Sequence, residues 1–264
     1  MEILKSIATP ALVFVLLGVL MGVLLAAATK LFYVKKDERA EEIASVLPGA
    51  NCGGCGYAGC QSLAEAISAG EAKVSSCTVG GAEVAKRIAE IMGTESGEVV
   101  RQRAVIMCVG SDSAAKKKYI YSGADDCAAA ARLGGGDKLC PNGCIGLGTC
   151  VESCPFGAIS VGDGVAQVDP ARCRGCGVCV SHCPKNIIKL IPYDSKVSVR
   201  CSSHDVGRVV RAYCDAGCIA CRICEKKCSS GAISVDGNIA SVDYQKCTGC
   251  LECVSACPRG IIKS

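Results

Sequence analysis

The sequence predicts an α+β protein that consists of a single N-terminal transmembrane helix, a small helical domain with four cysteines, and two tandem copies of a compact cysteine-rich module. Three observations predict this architecture. The 264 residues include 24 cysteines, most of them closely spaced. The C-terminal half repeats itself after 74 residues, and a long stretch near the N-terminus carries no charge.

The spacing of the cysteines indicates iron–sulfur clusters. Three runs follow the pattern C-x2-C-x2-C-x3-C: Cys173 to Cys183, Cys218 to Cys228, and Cys247 to Cys257. Iron prefers soft thiolate ligands, and in bacterial ferredoxins this spacing gives three cysteines to one [4Fe–4S] cube and the fourth to a neighbouring cube. The sequence therefore predicts a protein that carries electrons.

Two other uses of cysteine fit less well. Disulfide frameworks are typical of short secreted chains that lack a sizeable core, whereas this chain is long and half apolar. Structural zinc sites usually combine two cysteine pairs that are far apart in sequence. Four thiolates within eleven residues would crowd one tetrahedral ion.

An internal repeat defines the modules. Residues 127–190 match residues 201–264 without a gap, and the segment 157–161 is identical to 231–235. A duplication of this kind indicates two copies of one supersecondary unit. Each copy is therefore expected to be a bacterial-type two-cluster ferredoxin module, with short β-hairpins and single-turn helices around its cubes.

The repeat also sorts the ligands. Cys221 of the second copy aligns with Leu147, which cannot bind iron, so the first copy is expected to use Cys140 instead. Cys214 is then redundant unless it replaces Cys221. The cubes of the two modules are predicted to be held by Cys140, Cys144, Cys150 and Cys183; by Cys154, Cys173, Cys176 and Cys179; by Cys218, Cys221, Cys224 and Cys257; and by Cys228, Cys247, Cys250 and Cys253.

A different cassette precedes the modules, formed by Cys52, Cys55, Cys60 and Cys77 in a glycine-rich segment. Four thiolates without an exchanged ligand predict a single [4Fe–4S] cube, and the glycines would let backbone N–H groups approach its sulfurs. A glycine-rich zinc loop is the alternative. Apolar spacing predicts one helix after Cys60 and a second after Gly81.

Four cysteines remain outside these sets: Cys108, Cys127, Cys201 and Cys214. They could ligate a sixth cube in addition to the five expected. They could equally be buried structural thiols, a common role for free cysteine. Cys127 and Cys201 occupy equivalent positions of the repeat.

The N-terminal stretch predicts a membrane anchor. Residues 6–29 carry no charge and are long enough to span a bilayer as a tilted helix. A signal peptide is the alternative, but the apolar run is longer than a usual signal core, and only one lysine precedes it. Since Lys30, Lys35, Lys36 and Arg39 follow the helix, the positive-inside rule places the remaining chain in the cytoplasm.

The chain is thus expected to divide into an anchor over 1–34, a four-cysteine domain over 35–93, a linker with one strand over 94–126, and modules over 127–190 and 191–264. No dinucleotide motif, nucleophile–base pair or nucleic-acid-binding element is evident. No catalytic residue is therefore expected. Two lysine runs could dock an acidic ferredoxin or could simply be solvated: Lys116–Lys118 and Lys226–Lys227.

The combination of anchor, Cys52–Cys77 cassette and ferredoxin modules resembles the B subunit family of the Rnf complex, a membrane-bound ferredoxin:NAD oxidoreductase that pumps sodium ions or protons. The resemblance covers essentially the whole chain. It implies electron uptake from reduced ferredoxin, flavin-bearing partner subunits that complete the path to NAD, and ion transport by polytopic partners. The alternative is an electron-transfer subunit of another, peripheral oxidoreductase, which the anchor and the cassette argue against.

Overall fold

The computed structural model describes residues 2–32 and 37–264, which divide into two compact units, Met1–Glu38 and Arg39–Ser264. The first unit contains helix α1 (Glu2–Leu31). Its segment Leu12–Leu31 has a mean hydropathy of 2.7, and the part of the chain that the structure describes holds no other helix of this length and apolarity. The predicted N-terminal apolar helix is confirmed. Lys35 and Lys36 lie outside the described residues.

The second unit is built from short helices and two-stranded sheets. Its helices are α2 (Glu38–Val46), α3 (Cys60–Ser68), α4 (Gly81–Met92), α5 (Cys127–Arg132), α6 (Thr149–Glu152), α7 (Val178–His182), α8 (Gly207–Tyr213), α9 (Ile223–Lys227) and α10 (Glu252–Ala256). Its strands are β1 (Gln102–Ile106), β2 (Ile159–Gly162), β3 (Val165–Val168), β4 (Ile188–Pro192), β5 (Ser198–Val199), β6 (Ile233–Asp236), β7 (Ile239–Val242) and β8 (Ile262–Lys263).

The three helices α2 to α4 enclose a small apolar core of their own. Ile43, Leu63, Ile67 and Ile88 are almost fully buried there, and Cys55, Cys60 and Cys77 pack against them. Helices α3 and α4 lie where the apolar spacing predicted them. Helix α4 ends at Gly93, whose left-handed backbone (φ 65) suits a residue without a Cβ.

The pairing of the strands follows the sequence repeat. Hairpin β2–β3 pairs Ile159 with Val168, and hairpin β6–β7 makes the pairing 74 residues further on, Ile233 with Val242. Outside the hairpins, β1 pairs antiparallel with β4, and β5 pairs antiparallel with β8. Strands β4 and β8 occupy equivalent positions of the repeat. β1 is therefore the pairing partner in the first half that β5 is in the second.

The pairing of β1 with β4 and of β5 with β8 makes two cysteines equivalent that the ungapped sequence repeat does not align. Ile106 faces Ile188, and Val199 faces Ile262. Two residues beyond each of these strand ends stand Cys108 and Cys201. Cys201 is therefore the structural counterpart of Cys108, whereas the sequence repeat aligns it with Cys127.

The cores of the two halves are small and contain cysteines. Ile106, Ile159 and Ile188 pack with Cys144, Cys150, Cys173 and Cys179. Val199, Ile233 and Ile262 pack with Cys218, Cys224 and Cys253. Because so few large apolar residues are available, metal ligation by these thiols would supply much of the folding free energy.

Two glycines with the same backbone conformation allow a test of this packing. A Cβ on Gly175 (φ +65) would overlap the carbonyl oxygen of Gln102, whereas a Cβ on Gly231 (φ +62) would meet open space. Gly231→Ala should cost about 1 kcal/mol through its left-handed backbone alone. Gly175→Ala should cost roughly 1–3 kcal/mol more because β1 must also move.

The measurement is calorimetric unfolding of both variants after anaerobic purification. Equal losses of stability would contradict the close approach of Gly175 to β1.

Candidate iron–sulfur sites

The cysteines of the second unit gather in groups of four. Five cavities are each lined by four of them. We number them site 1 (Cys52, Cys55, Cys60, Cys77), site 2 (Cys154, Cys173, Cys176, Cys179), site 3 (Cys127, Cys144, Cys150, Cys183), site 4 (Cys108, Cys140, Cys201, Cys214) and site 5 (Cys218, Cys221, Cys224, Cys257).

The last four cysteines also lie together and are called site 6: Cys228, Cys247, Cys250 and Cys253. The thiols of Cys228, Cys250 and Cys247 are close enough to act electrostatically on Cys253. All 24 cysteines are free thiols, and the six groups contain every one of them.

The structure exchanges two cysteines relative to the grouping predicted from the sequence. The repeat predicts Cys140 with Cys144, Cys150 and Cys183, but the thiol that lines their cavity is Cys127. In the sequence, Cys127 falls among the spare thiols. Cys140 lies instead with Cys108, Cys201 and Cys214.

The position of Cys127 has a local cause. Asp126 caps helix α5 by accepting hydrogen bonds from the N–H groups of Ala128 and Ala129 (3.1 and 2.9 Å). Thr149, the residue before Cys150, donates to Asp126 (2.9 Å) and accepts from the N–H of Cys127 (2.7 Å). These bonds hold Cys127 beside Cys150. Cys127 thus provides the fourth thiol of site 3, because the first half has Leu147 at the position where the second half has Cys221.

Site 4 receives thiols from both halves of the repeat. Cys108 and Cys140 come from the first half, and their counterparts Cys201 and Cys214 come from the second. The site therefore lies between the two halves. The one sequence signal is a short apolar strand before each of Cys108 and Cys201, Ala104-Val105-Ile106 and Val197-Ser198-Val199, but the ungapped repeat does not align these strands.

The donor chemistry fits four-iron cubes. Within residues 2–32 and 37–264, no three or more histidine, cysteine or acidic side chains are arranged to hold a single metal ion. Four cysteines spread around one cavity suit a [4Fe–4S] cube, in which each thiolate binds a different iron. In sites 2 and 6, backbone N–H groups point at ligand sulfurs, from Ala158 to Cys154 (3.4 Å) and from Ala232 to Cys228 (3.3 Å).

Without a metal, burial raises the pKa of several of these thiols. It raises the pKa of Cys150 to about 12, with further increases from Cys144, Cys127 and Cys183. It raises the pKa of Cys140 to about 11, with further increases from Cys108, Cys201 and Cys214. Because iron binds the thiolate, cluster assembly must release these protons and should be favoured by higher pH.

Contacts between neighbouring sites arrange them in one row. Gly54 of site 1 packs directly against the backbone of Cys176 in site 2. Cys179 of site 2 and Cys150 of site 3 are close enough to interact electrostatically. The row continues through two hydrogen bonds of 3.4 Å, from Cys144 N–H of site 3 to Cys108 Sγ of site 4, and from Cys218 N–H of site 5 to Cys201 Sγ of site 4.

The row ends in a pair of sites joined by two helices. Helix α9 connects Cys224 of site 5 to Cys228 of site 6, and α10 connects Cys253 of site 6 to Cys257 of site 5. The two helices pack against each other. These contacts connect the sites in the order 1, 2, 3, 4, 5, 6.

The two halves differ in the exposure of their sites. Cys221 of site 5 and Cys250 of site 6 are exposed, whereas every other cysteine is buried or half-buried. The residues that follow them, Arg222 (φ 59) and Leu251 (φ 66), have left-handed backbones. Their repeat equivalents in the first half are Gly148 and Gly177.

The two histidines of the chain and the first lysine run have ordinary structural partners. Nδ1 of His182 lies 2.8 Å from the carbonyl oxygen of Val178, and Nδ1 of His204 lies 2.8 Å from that of Gly237. In the first lysine run, Lys117 pairs with Asp112 and Asp137, both at 3.1 Å, and Lys118 donates to the carbonyl oxygen of Gly134 (2.6 Å).

Comparison with known families finds iron–sulfur domains in the second unit. A family model for an Fe-S cluster matches residues 47–79, and a model described as a 4Fe-4S dicluster domain matches residues 140–187 and 217–261.

Three curated relatives cover nearly the whole chain. The B subunit of the ion-translocating oxidoreductase complex of Methanosarcina acetivorans is 45% identical over 94% of each chain. The B subunit of the Na(+)-translocating ferredoxin:NAD(+) oxidoreductase complex of Acetobacterium woodii is 44% identical over 98% of this chain and 78% of its own. The B subunit of the proton-translocating ferredoxin:NAD(+) oxidoreductase complex of Clostridium ljungdahlii is 40% identical over 96% of this chain and 90% of its own.

The contact between sites 1 and 2 can be tested at Gly54. A Cβ there would overlap the carbonyl oxygen of Cys176, so Gly54→Ala should push the Cys52 loop away from site 2. With both sites filled and reduced, the magnetic coupling between their clusters should weaken in electron paramagnetic resonance spectra.

Gly56→Ala in the same loop is the control, because its Cβ would meet no atom within 4 Å although its φ is +89. Unchanged coupling in Gly54→Ala would contradict the direct contact of the two sites.

Proposed function

Since the chain belongs to the B subunit family of the Rnf complex, the ion-translocating ferredoxin:NAD oxidoreductase, we propose that it carries electrons from reduced ferredoxin through a row of six [4Fe–4S] clusters to other subunits of that complex. Membership makes it the iron–sulfur electron-transfer subunit of an oxidoreductase and translocase. The number of clusters, their ligands and their order are our proposal.

The single observation that carries the proposal is the distribution of the thiols. Twenty-four cysteines fall into six groups of four, with none left over. Each cube would accept and release one electron. The protein's part is to hold it with four thiolates, to direct N–H groups at its sulfurs, which raises the reduction potential, and to exclude water with apolar side chains.

The proposed ligand sets keep the exchanged fourth cysteine of a two-cluster ferredoxin. Cys183 follows three ligands of site 2 in sequence but belongs to site 3, and Cys257 follows three ligands of site 6 but belongs to site 5. The exchange ties the two sites of each module together and supports a tandem arrangement of two ferredoxin modules.

The anchor would fix the row to the cell membrane. Helix α1 is long and apolar enough to cross it once, and the basic residues after it favour the cytoplasm for residues 37–264. In the sequence, site 1 is the site that follows α1 most closely, and we infer that electrons leave the row there. Site 6 is then the end furthest along the row from that exit.

Iron analysis tests the number of clusters and the assignment of Cys127. The anaerobically purified full chain should contain about 24 irons at four per cube. Cys127→Ser should lower the iron content by about four per chain, because site 3 loses a ligand.

A second substitution provides the matched control. Leu147 stands where the second half has Cys221, so Cys127→Ser combined with Leu147→Cys should restore the lost cluster. About 20 irons in the wild-type protein, together with an unchanged content in Cys127→Ser, would instead leave Cys127 a structural thiol and site 4 empty.

A further inference from the structure

We propose that the electron donor, an acidic iron–sulfur protein of the ferredoxin class, docks on the exposed face of site 5. This donor surface consists of Cys221, Arg222, Ile223, Lys226 and Lys227. The proposal rests on the electron-transfer function above and adds to it the place and the chemistry of donor recognition.

The first observation is accessibility. Electron transfer weakens steeply with distance, so a donor must approach a cluster edge that protein does not cover. Cys221 and Cys250 are the two exposed cysteines, and both belong to the last two sites of the row. At the other end of the row, the loop of Gly54 covers Cys176, the repeat equivalent of Cys250.

The second observation is an unusual backbone beside the exposed thiol. Ala220 (φ 53) and Arg222 (φ 59) flank Cys221 with left-handed conformations, which L-residues adopt only at a cost. The first half has Gly146 and Gly148 at these positions. A Cβ on Gly148 would have nothing closer than 3.9 Å, so glycine is not required there by crowding. The second half thus places a long cationic side chain next to a cluster edge where the first half has none.

The third observation is charge. Arg222, Lys226 and Lys227 are exposed and surround Ile223, of which 39% is exposed. The only acid on α9, Glu225, is half-buried, pairs with Arg222 (3.2 Å) and accepts a hydrogen bond from Val235 N–H (3.0 Å). Over residues 222–227, three basic residues against one acid leave a net positive charge beside the apolar Ile223. This composition suits an acidic partner, since rim charges speed association and a central apolar contact supports it.

Two other surfaces suit an acidic donor less well. Exposed Leu251 beside site 6 is followed by exposed Glu252, and Lys246 nearby pairs with Asp243 (3.5 Å). In the first lysine run, the ion pairs of Lys117 with Asp112 and Asp137 neutralise most of its attraction. The observations therefore favour the face of site 5.

The test is stopped-flow reduction of the cluster-loaded full chain in detergent by a reduced acidic [4Fe–4S] ferredoxin. Lys226→Gln with Lys227→Gln removes two charges from the donor surface without touching a ligand. Lys86→Gln with Arg87→Gln removes the same charge from exposed positions of α4 and is the matched control.

At an ionic strength of about 0.01 M, where the screening length is about 30 Å, the first variant should be reduced about tenfold more slowly than the wild type. At about 1 M, where that length is about 3 Å, the difference should disappear. The control should stay within about twofold of the wild type at both salt concentrations. Iron content and reduction by dithionite should be the same in all three proteins.

Equal rates in the wild type and the Lys226–Lys227 variant, or a slower rate in the control alone, would overturn the donor surface and leave the function intact. Failure of ferredoxin to reduce even the wild type, while dithionite reduces it fully, would instead refute the proposed function. Should the variant lose iron, carbodiimide cross-linking of the wild type decides the matter. Cross-links from ferredoxin carboxylates to Lys226 or Lys227 support the surface, and cross-links only to other lysines overturn it.

Discussion

The grouping of thiols in fours is the constraint on which the rest of this structure depends. The chain of 264 residues has no tryptophan and three phenylalanines, and its cysteine-rich halves bury few large side chains. Short hairpins and single-turn helices would be marginal without further support. The single-turn helices α6, α7, α9 and α10 each carry a cysteine, and the hairpins pack against these thiols. Bonds to iron would therefore replace the apolar contacts that the elements lack.

The same constraint explains how the two halves are joined. A tandem repeat of independent modules would need only a linker between them. Here each half contributes one thiol from the chain beyond a strand, Cys108 or Cys201, and one from the start of its cluster motif, Cys140 or Cys214. With a cluster in site 4, the junction would therefore be held by the same chemistry as the interior of each half.

Much of this could be predicted from the sequence because the information is local. The runs from Cys173, Cys218 and Cys247 each place their first three cysteines in one group, and helices α3 and α4 follow from apolar spacing. The exchange of Cys127 and Cys140 could not be predicted, because an ungapped repeat aligns Cys127 with Cys201. The structural counterpart of Cys201 is Cys108, which becomes apparent only when β1 pairs with β4. The order of the sites could not be predicted from the sequence either, since it depends on contacts such as that of Gly54 with Cys176.

The row of sites would also be able to hold several electrons at once. Each cluster of a [4Fe–4S] ferredoxin passes on one electron at a time, whereas the reduction of NAD consumes two electrons as a hydride. A chain with several one-electron centres can hold an early electron until a later one arrives, so that donor encounters need not be synchronised with the two-electron step. With its clusters in place, the subunit would then store electrons between a one-electron donor and a two-electron acceptor.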